Sequence, residues 1–373
     1  MSFDGGTVTV TPIGQCPIRI AGAQLTGPTV LRPGQVLVLE NQLILVLAPW
    51  DPDADPVETA PFPFGRPDEN GLVGESAAMW ELRRTLRFVA QSPGHVLVHG
   101  PTGTGKELCA RAIHDLSAAR RGPFVSRSAA TLPQGLVDAE LFGNLRNFPN
   151  PPMPERTGLV GSAHGGTLFL DEIGETPHEM QAHLLRVLDA DGEYHRLGEA
   201  TPRRSDFRLI AATNRDTAAL KGDLLGRFRH HVRVPSLDER IEDVPLLVAA
   251  LLDHARRESP RWERFGSIRD GAWVPRLEPK LIEALLEGAH PTNVRGLDRR
   301  LWEAMSASPG DFVVAPPVTP TEGRVTARPD DLDEATVRDA LDRAGGNVAD
   351  AARALGLKNR QVLHRIVRKL DGT

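Results

Sequence analysis

The pattern of apolar and polar positions divides the chain into regions of different periodicity. Before residue 51, short alternating runs such as Val36 to Leu39 are separated by Gly and Pro, which is typical of a small antiparallel sheet. Between residues 68 and 307, β-rich runs such as Val96 to Val98 alternate with amphipathic helical patterns. This alternation predicts βαβ units and a parallel sheet with covered faces. From residue 331 onwards only helical periodicity remains.

Two segments rich in proline separate these regions, at residues 51–67 and 308–330. Such segments cannot bury enough apolar surface to offset the entropy of ordering them, so they favour extended linkers over long surface loops. We therefore predict a multidomain chain with three folded parts. These are a small β-rich N-terminal module (1–50), an α/β core (68–307) whose helical lid follows residue 235, and an all-α C-terminal domain (331–373).

Composition excludes several function classes. Apolar residues make up 40% and charged residues 25% of the 373 positions, which is ordinary for a soluble globular chain. A membrane helix needs about 20 apolar residues in a row; the sequence has no such stretch and no signal peptide, so we expect a cytoplasmic protein without a membrane partner. Cys16 and Cys109 cannot make a disulfide framework. The net charge of −5 argues against a protein that binds nucleic acid over its whole surface, but it does not exclude one basic module on an otherwise acidic chain.

The most specific local pattern is a glycine-rich turn between a β-rich run and an amphipathic helix. It consists of Gly100, Pro101, Thr102, Gly103, Thr104, Gly105, Lys106 and Glu107. Glycines let backbone N–H groups close around phosphates, and the following helix N-terminus adds partial positive charge. The turn therefore predicts a phosphate-binding loop for ATP, in which Lys106 supplies a full charge. Glu107 stands where a Ser or Thr usually helps to hold Mg²⁺.

Polar residues follow two further β-rich runs. The apolar run Thr167 to Leu170 ends in Asp171 and Glu172, and a second run ends before Asn214. The carboxyl ends of buried parallel strands are where ligands bind in α/β sheets. We predict that Asp171 is the metal ligand for Mg²⁺ and that Glu172 orients or activates a water molecule. Asn214 either senses the γ-phosphate or simply caps its strand.

Over residues 70–307 the chain resembles the AAA+ domain of bacterial enhancer-binding proteins, the ATPases that activate sigma-54 RNA polymerase. The phosphate loop and the acidic strand end carry this resemblance together with Gly71-Leu72-Val73-Gly74-Glu75-Ser76, Glu140-Leu141-Phe142-Gly143 and Asn293-Val294-Arg295. In this family Glu normally follows the loop lysine, which accounts for Glu107. The resemblance implies a P-loop ATPase with a helical lid, ATP and Mg²⁺ as cofactors, and assembly into a hexameric ring. It also implies that Arg295 senses the bound nucleotide.

One surface loop departs from the family pattern. Family members carry Gly-Ala-Phe-Thr-Gly-Ala, which engages sigma-54, shortly after Glu-Leu-Phe-Gly. Here residues 147–152 read Asn-Phe-Pro-Asn-Pro-Pro, and the spacing to Gly165 and Gly166 is kept. Proline fixes φ and removes N–H donors, so this loop should be stiffer and lack the family's contacts. We predict that activation of sigma-54 polymerase is lost. The sequence does not identify the polymerase component that this loop contacts instead.

Further substitutions bear on ATP hydrolysis. The two arginines that the family directs into the neighbouring subunit's site correspond to Lys221 and Arg227. A lysine lacks the planar bidentate guanidinium, so Lys221 is either a weaker trans-acting cation or a solvated surface lysine. The asparagine that restrains the catalytic glutamate corresponds to Ser128, which is shorter and has no amide. We predict that nucleotide binding is intact, whereas the sequence leaves the efficiency of hydrolysis open.

Residues 331–373 resemble the Fis-type helix-turn-helix of enhancer-binding proteins, in Ala344-Gly345-Gly346-Asn347-Val348 and in residues 351–357. The last helical pattern keeps one apolar face and carries basic or polar residues elsewhere. We predict DNA contacts, to bases or phosphates, from Lys358, Asn359, Arg360, Gln361, His364, Arg365 and Arg368. The resemblance implies a DNA-binding dimer on symmetric half-sites. The alternative is a charged, solvated helical cap.

Residues 1–50 resemble part of a forkhead-associated domain, mainly in residues 31–37. The residues with which that family reads phosphothreonine are absent, so we expect a remnant used for docking or assembly.

Two functions remain open for the whole chain. The first is an ATP-hydrolysing ring that binds DNA upstream of promoters and remodels a transcription complex other than the sigma-54 form. The second is a DNA-binding regulator that uses ATP as an oligomerisation switch with little hydrolysis. A small-molecule kinase is disfavoured because no acceptor-substrate domain is left over.

Overall fold

A computed structural model describes residues 2–4, 7–13, 16–20, 22–40, 43–47, 62–118, 121–176, 178–189, 192–217, 220–269 and 271–316. The chain divides into two units, residues 1–314 and 315–373. The predicted helix-turn-helix and its DNA-contact residues lie outside the described residues.

Two small antiparallel sheets form the N-terminal region. Their strands are β1 (Ser2–Asp4), β2 (Thr7–Val10), β3 (Ile18–Ile20), β4 (Ala23–Gln24), β5 (Thr29–Leu31), β6 (Val36–Leu39) and β7 (Leu43–Val46). One sheet has the order β1-β2-β5 and the other β4-β3-β6-β7. Val10, Ile20, Leu31 and Leu37 form their buried core. The predicted β-rich N-terminal region is confirmed.

The central region alternates helices and strands. In chain order they are α1 (Ala77–Gln91), β8 (His95–His99), α2 (Lys106–Asp115), β9 (Phe124–Ser128), α3 (Val137–Phe142), α4 (Gly158–Ser162), β10 (Thr167–Asp171), α5 (His178–Asp189), β11 (Glu193–Tyr194), β12 (Arg203–Arg204), β13 (Arg208–Thr213), α6 (Gly222–Leu225) and β14 (Phe228–Arg233). Five of the strands form one parallel sheet in the order β14-β8-β13-β10-β9. The predicted α/β P-loop core with a parallel sheet is confirmed.

Apolar side chains cover both faces of this sheet. On β8, Val96 and Val98 pack into a cluster with α1 and α2, whereas Leu97 points to the other face and joins a cluster with α3, α4 and α5. The alternation follows from the two-residue period of a strand.

A helical lid follows the sheet. It comprises α7 (Val244–Glu258), the hairpin β15 (Gly266–Arg269) and β16 (Ala272–Pro275), α8 (Pro279–Glu287) and α9 (Asn293–Ala307). Beyond α9, Val313 is buried and its backbone bonds to Arg276 and Glu278, so residues up to 313 pack with the lid although they were assigned to the second linker. Within the described residues, no helix is long and apolar enough to cross a membrane.

A buried ion pair anchors the segment that leads into α1. The Arg83 Nε lies 2.9 Å from the Asp68 carboxylate, and the side chains are only 4% and 7% exposed. The other guanidinium nitrogens donate to the carbonyl oxygens of Gly74 at 2.8 Å and Leu72 at 3.0 Å. One arginine therefore holds residues 68–74 against the first helix of the core.

Aromatic rings complete this anchor. Phe62 stacks on Trp80 with ring centroids 5.8 Å apart, and the Arg83 guanidinium carbon lies 4.9 Å and 5.0 Å from the two centroids. Cation–π contacts of this kind stabilise a desolvated guanidinium. Residues 62–67, assigned to the first linker, thus contact the core.

Replacing Arg83 with leucine should destabilise the protein strongly. The change leaves the Asp68 carboxylate buried without its partner, which typically costs about 3–5 kcal/mol. Urea unfolding of the full chain measures the loss. Arg84→Leu is the matched control, because Arg84 is 62% exposed and pairs only at the surface with Glu81; it should change the free energy of unfolding by less than about 0.5 kcal/mol. Equal effects of the two substitutions would contradict the anchoring role.

Candidate nucleotide site

The phosphate loop has the backbone that its glycines predict. Gly103 and Gly105 have φ values of 77° and 96°, a region that residues with a Cβ rarely adopt. α2 begins directly afterwards, at Lys106. The Thr104 hydroxyl donates to the Pro101 carbonyl at 2.9 Å and closes the turn. The loop therefore presents the N-terminus of α2 to any anion bound above it.

Lys106 lies inside the turn. Its Nζ donates to the carbonyl oxygens of Gly100 and Pro101, both at 3.0 Å. Burial lowers the pKa of Lys106, whereas the carboxylates of Asp171 and Glu172 act in the opposite direction. The ammonium thus bonds to the start of the loop and interacts electrostatically with the acidic residues at the end of β10.

Asp171 is the last residue of β10, and Glu172 follows it at the same edge of the sheet. Asp171 pairs in register with Ser128 of β9, and its Oδ1 accepts a hydrogen bond from the Glu172 backbone N–H at 2.9 Å. Glu172 has a φ of 58°, a left-handed conformation that is uncommon outside glycine. Such backbone is often found where a side chain is aimed at a functional site.

Ser128 contacts the candidate catalytic glutamate. Its hydroxyl donates to Glu172 Oε2 at 2.9 Å, although the sequence suggested that a serine has less reach than the family's asparagine. The contact is possible because the registered strands β9 and β10 end side by side. A restraint on the glutamate is therefore present, through a hydroxyl instead of an amide.

Asn214 reaches back to the phosphate loop. It follows β13, whose last residue Thr213 is paired with His99 at the end of β8. The Asn214 Nδ2 donates to the Thr102 hydroxyl at 2.9 Å. The side chain therefore connects the end of β13 to the phosphate loop.

The helical lid also contributes residues to this site. Arg295 is exposed near the start of α9, and its positive charge adds to the effect of burial in lowering the pKa of Lys106. Asn293, two residues earlier, bonds directly to the phosphate loop through the Thr102 carbonyl. The sequence motif contained this asparagine but nothing in its spacing indicated the contact, because Thr102 is 191 positions away.

Glu107, Lys221 and Arg227 lie outside this cluster of contacts. Glu107 is on the exposed side of α2, 3.7 Å from Arg111 one turn along. Lys221 precedes α6, and its backbone N–H donates to Gln181 of α5 at 2.9 Å. Arg227 follows α6 and is exposed. Both residues therefore flank α6, away from the contacts described above.

The donor set fits Mg²⁺ better than an all-protein metal site. No group of three or more His, Cys, Asp or Glu side chains able to hold a metal occurs in the described part of the chain. Magnesium usually takes one or two carboxylates and completes its shell with waters and substrate phosphates. Asp171, at a strand end beside the phosphate loop, meets that requirement.

The proline-rich loop closes on itself. The Asn147 backbone N–H donates to the Met153 carbonyl at 2.8 Å. Below it, the Asn144 amide donates to the carbonyl oxygens of Leu145 and Pro154, both at 2.9 Å. The loop therefore has a fixed base and a short span.

The same loop is joined to the hairpin segment of β11 and β12. The Leu145 N–H donates to the Leu197 carbonyl at 3.0 Å, and Arg196 pairs with Glu155 at 2.6 Å. A Cβ on Gly198 would lie 2.6 Å from the Phe148 ring, so only glycine allows this packing. The loop and the hairpin segment thus form one surface.

Comparisons with known proteins agree with this geometry. Residues 72–234 match the family model described as "Sigma-54 interaction domain". The chain is 36% identical over 339 residues to the DNA-binding transcriptional regulator NtrC of Bradyrhizobium sp. (strain RP501 Parasponia), covering 85% of this chain and 68% of that protein. It is 34% identical to the transcriptional regulatory protein ZraR of Escherichia coli K12, over 80% and 68% of the two chains.

Solved structures give the same result. The crystal structure of NtrX from Brucella abortus in complex with ATP is 31% identical, with a TM-score of 0.57, and the match covers 82% of this chain and 70% of that one. The complex of the same protein with ADP also has a TM-score of 0.57, at 81% and 69% coverage.

Removing the loop ammonium should abolish tight nucleotide binding. Hydrogen bonds to a charged group contribute about 1.5–3 kcal/mol, so Lys106→Ala should weaken the affinity for a fluorescent ATP analogue by roughly 10- to 100-fold. Titration of the full chain with the analogue measures this change. Lys280→Ala is the control, since Lys280 is an exposed lysine on α8; it should bind as the unmodified chain does. Equal affinities of all three proteins would place the phosphates elsewhere.

Proposed function

This chain belongs to the bacterial enhancer-binding proteins, the family of sigma-54-dependent transcriptional regulators, and we propose that it is an ATP-hydrolysing, sequence-specific DNA-binding regulator. Its relatives NtrC and ZraR are named as transcriptional regulators, and NtrX has been crystallised with ATP. The observation that carries the proposal is the meeting of the phosphate loop, Asp171, Glu172 and Asn214 at one edge of the sheet. Such a set of groups suits transfer of a phosphoryl group to water.

Each residue has a proposed role. Backbone N–H groups of residues 100–105 and the Lys106 ammonium bind the phosphates. Mg²⁺, when bound at Asp171, supplies charge neutralisation between the phosphates. Glu172 orients the attacking water and accepts its proton, while Asn214 holds the terminal phosphate. Arg295 binds from the lid and positions the nucleotide for reaction.

The proposal includes a ring because one chain does not complete its own site. Lys221 and Arg227 would reach the nucleotide of a neighbouring subunit, where a cation stabilises the charge that develops during transfer. Arg227 has the planar fork suited to this, and Lys221 supplies a point charge. Turnover would therefore require assembly.

DNA binding is proposed for residues 331–373 on the basis of their sequence. A basic last helix with contacts from residues 358–368 would read an operator as a dimer. A transcription regulator with such a domain would act upstream of its promoter.

We further propose that the chain does not activate sigma-54 polymerase, although it matches the family model of the sigma-54 interaction domain. The support lies in residues 147–152, where prolines replace the family's contact residues, and in the bond that closes the loop from Asn147 to Met153. A closed proline-rich loop offers fewer backbone donors and a different surface. Another component of the transcription machinery would be its target.

A second function is favoured by the bond between Ser128 and Glu172 and by the lysine at position 221. If Glu172 is held by Ser128 throughout and the trans-acting cation is weak, ATP would serve as an assembly ligand with little turnover. The same site would then act as an oligomerisation switch for DNA binding.

ATP turnover per subunit should rise steeply with protein concentration. The expectation follows from sites that need Lys221 and Arg227 of a neighbour, and it is measured as phosphate release with Mg²⁺ present and DNA absent. Lys221→Arg should raise the plateau severalfold because the guanidinium binds phosphate bidentately. Detectable ATP binding without turnover at any concentration would eliminate the hydrolysing ring and leave the oligomerisation switch.

The unmodified chain should not form open complexes with sigma-54 holoenzyme on a promoter that carries its binding site. A variant whose residues 147–152 are changed to Gly-Ala-Phe-Thr-Gly-Ala should gain this activity if the loop alone is responsible. Permanganate footprinting of melted DNA measures both. Melting by the unmodified chain would show that the replaced loop still engages sigma-54.

A further inference from the structure

The lid helix α9 begins with an unusual residue. Asn293 has a φ of 52° and is only 2% exposed. Asparagine is among the few residues with a side chain that adopt this left-handed conformation at moderate cost. A buried amide must also have hydrogen-bond partners, since an unpaired polar group inside a protein is destabilising.

Both ends of the Asn293 amide are bonded. Its Oδ1 accepts from the Leu237 backbone N–H at 2.6 Å, and its Nδ2 donates to the Thr102 carbonyl at 2.9 Å. A backbone N–H only donates and a carbonyl only accepts, so the partners determine the orientation of the amide. The side chain therefore joins the phosphate loop, the turn that enters the lid and α9.

A second bond lies beside the first. The Val294 backbone N–H donates to the Gly103 carbonyl at 3.0 Å. The first N–H groups of a helix have no partner within the helix, so here the phosphate loop supplies one. A Cβ on Gly103 would lie 2.2 Å from the Thr292 carbonyl oxygen, which shows how closely the two segments approach.

Thr102 is bonded at its other end as well. Its hydroxyl accepts from Asn214, and its carbonyl accepts from Asn293, so one loop residue lies between the end of β13 and the start of the lid helix. Arg295 is two residues beyond Asn293. A shift of the phosphate loop therefore moves the segment that carries Arg295.

We propose that Asn293 is a positioning residue that ties the lid helix to the phosphate loop and so holds Arg295 over the bound nucleotide. The inference rests on the proposed ATP binding at this site and deepens it. Asn293 does not touch the nucleotide; it acts through the loop and through Arg295. The lid and the loop move together because successive loop carbonyls, of Thr102 and Gly103, bond to the start of α9.

Asn293→Asp is the most selective test. It has the shape of asparagine and keeps an oxygen for the Leu237 N–H, but it sets an oxygen against the Thr102 carbonyl. The rate at which a fluorescent ATP analogue leaves the full chain should rise by about tenfold, as expected for loss of one buried hydrogen bond and an unsatisfied partner. Asn293→Gly, which suits the left-handed backbone and removes both bonds, should act in the same direction.

Asn144→Asp is the matched control. Asn144 is 2% exposed and its Nδ2 donates to the carbonyl oxygens of Leu145 and Pro154, so the chemical change is the same. It lies at the base of the proline-rich loop, whose described contacts do not involve the phosphate loop, and analogue release should be unchanged. Thermal unfolding without nucleotide measures how much the introduced acidic side chain destabilises each variant.

A role in positioning predicts non-additivity. Asn293→Asp should accelerate release much less in an Arg295→Ala background than in the unmodified one, because its effect passes through Arg295. Release from both Asn293 variants at the unmodified rate, or full additivity with Arg295→Ala, would overturn the proposal while leaving ATP binding intact. Failure of the unmodified chain to bind the analogue would instead overturn the proposed function, and with it the positioning role of Asn293.

Discussion

The register of the parallel sheet is the constraint on which the site depends. Val96 and Val98 pack in one apolar layer and Leu97 in the other, so a shift of one residue would exchange these side chains between the two layers and disrupt the packing of both. With that register, Thr213 lies opposite His99 and Asp171 lies opposite Ser128. The same apolar pattern that folds the core thus decides which polar groups meet at the strand ends.

Directional polar contacts, by contrast, position the segments around the site. Asp243 accepts from the backbone N–H groups of Glu75 and Ser76 and from the Ser76 hydroxyl, while Arg83 holds the residues just before them. Buried polar groups are tolerated only when paired, and pairing specifies direction as well as distance. Apolar packing alone would permit these segments to slide, whereas the bonds allow one arrangement.

The sequence predicts the structure best where the interacting groups are contiguous along the chain. A few neighbouring residues are enough to predict the phosphate loop and the strand that leads into Asp171 and Glu172. The α/β class follows from apolar periodicity. The ion pair of Arg83 and the hydrogen bonds of the Asn293 amide cannot be read from the sequence, because folding brings their partners together. The reach of Ser128 was likewise underestimated, since it depends on the register of two strands.

The proline-rich loop illustrates how contact surface and reaction site can diverge within one fold. Its base at Asn144 follows α3, which packs against α4, and its bonds to Leu197 and Arg196 join it to the hairpin segment. Glu199 supports that segment, and hydrogen bonds from Arg203 and Arg196 lower its pKa to about 2, so it stays ionised even in mildly acidic solution. None of these contacts involves Lys106, Asp171 or Asn214. Substitutions at the tip can therefore change this surface without altering the contacts of the phosphate loop.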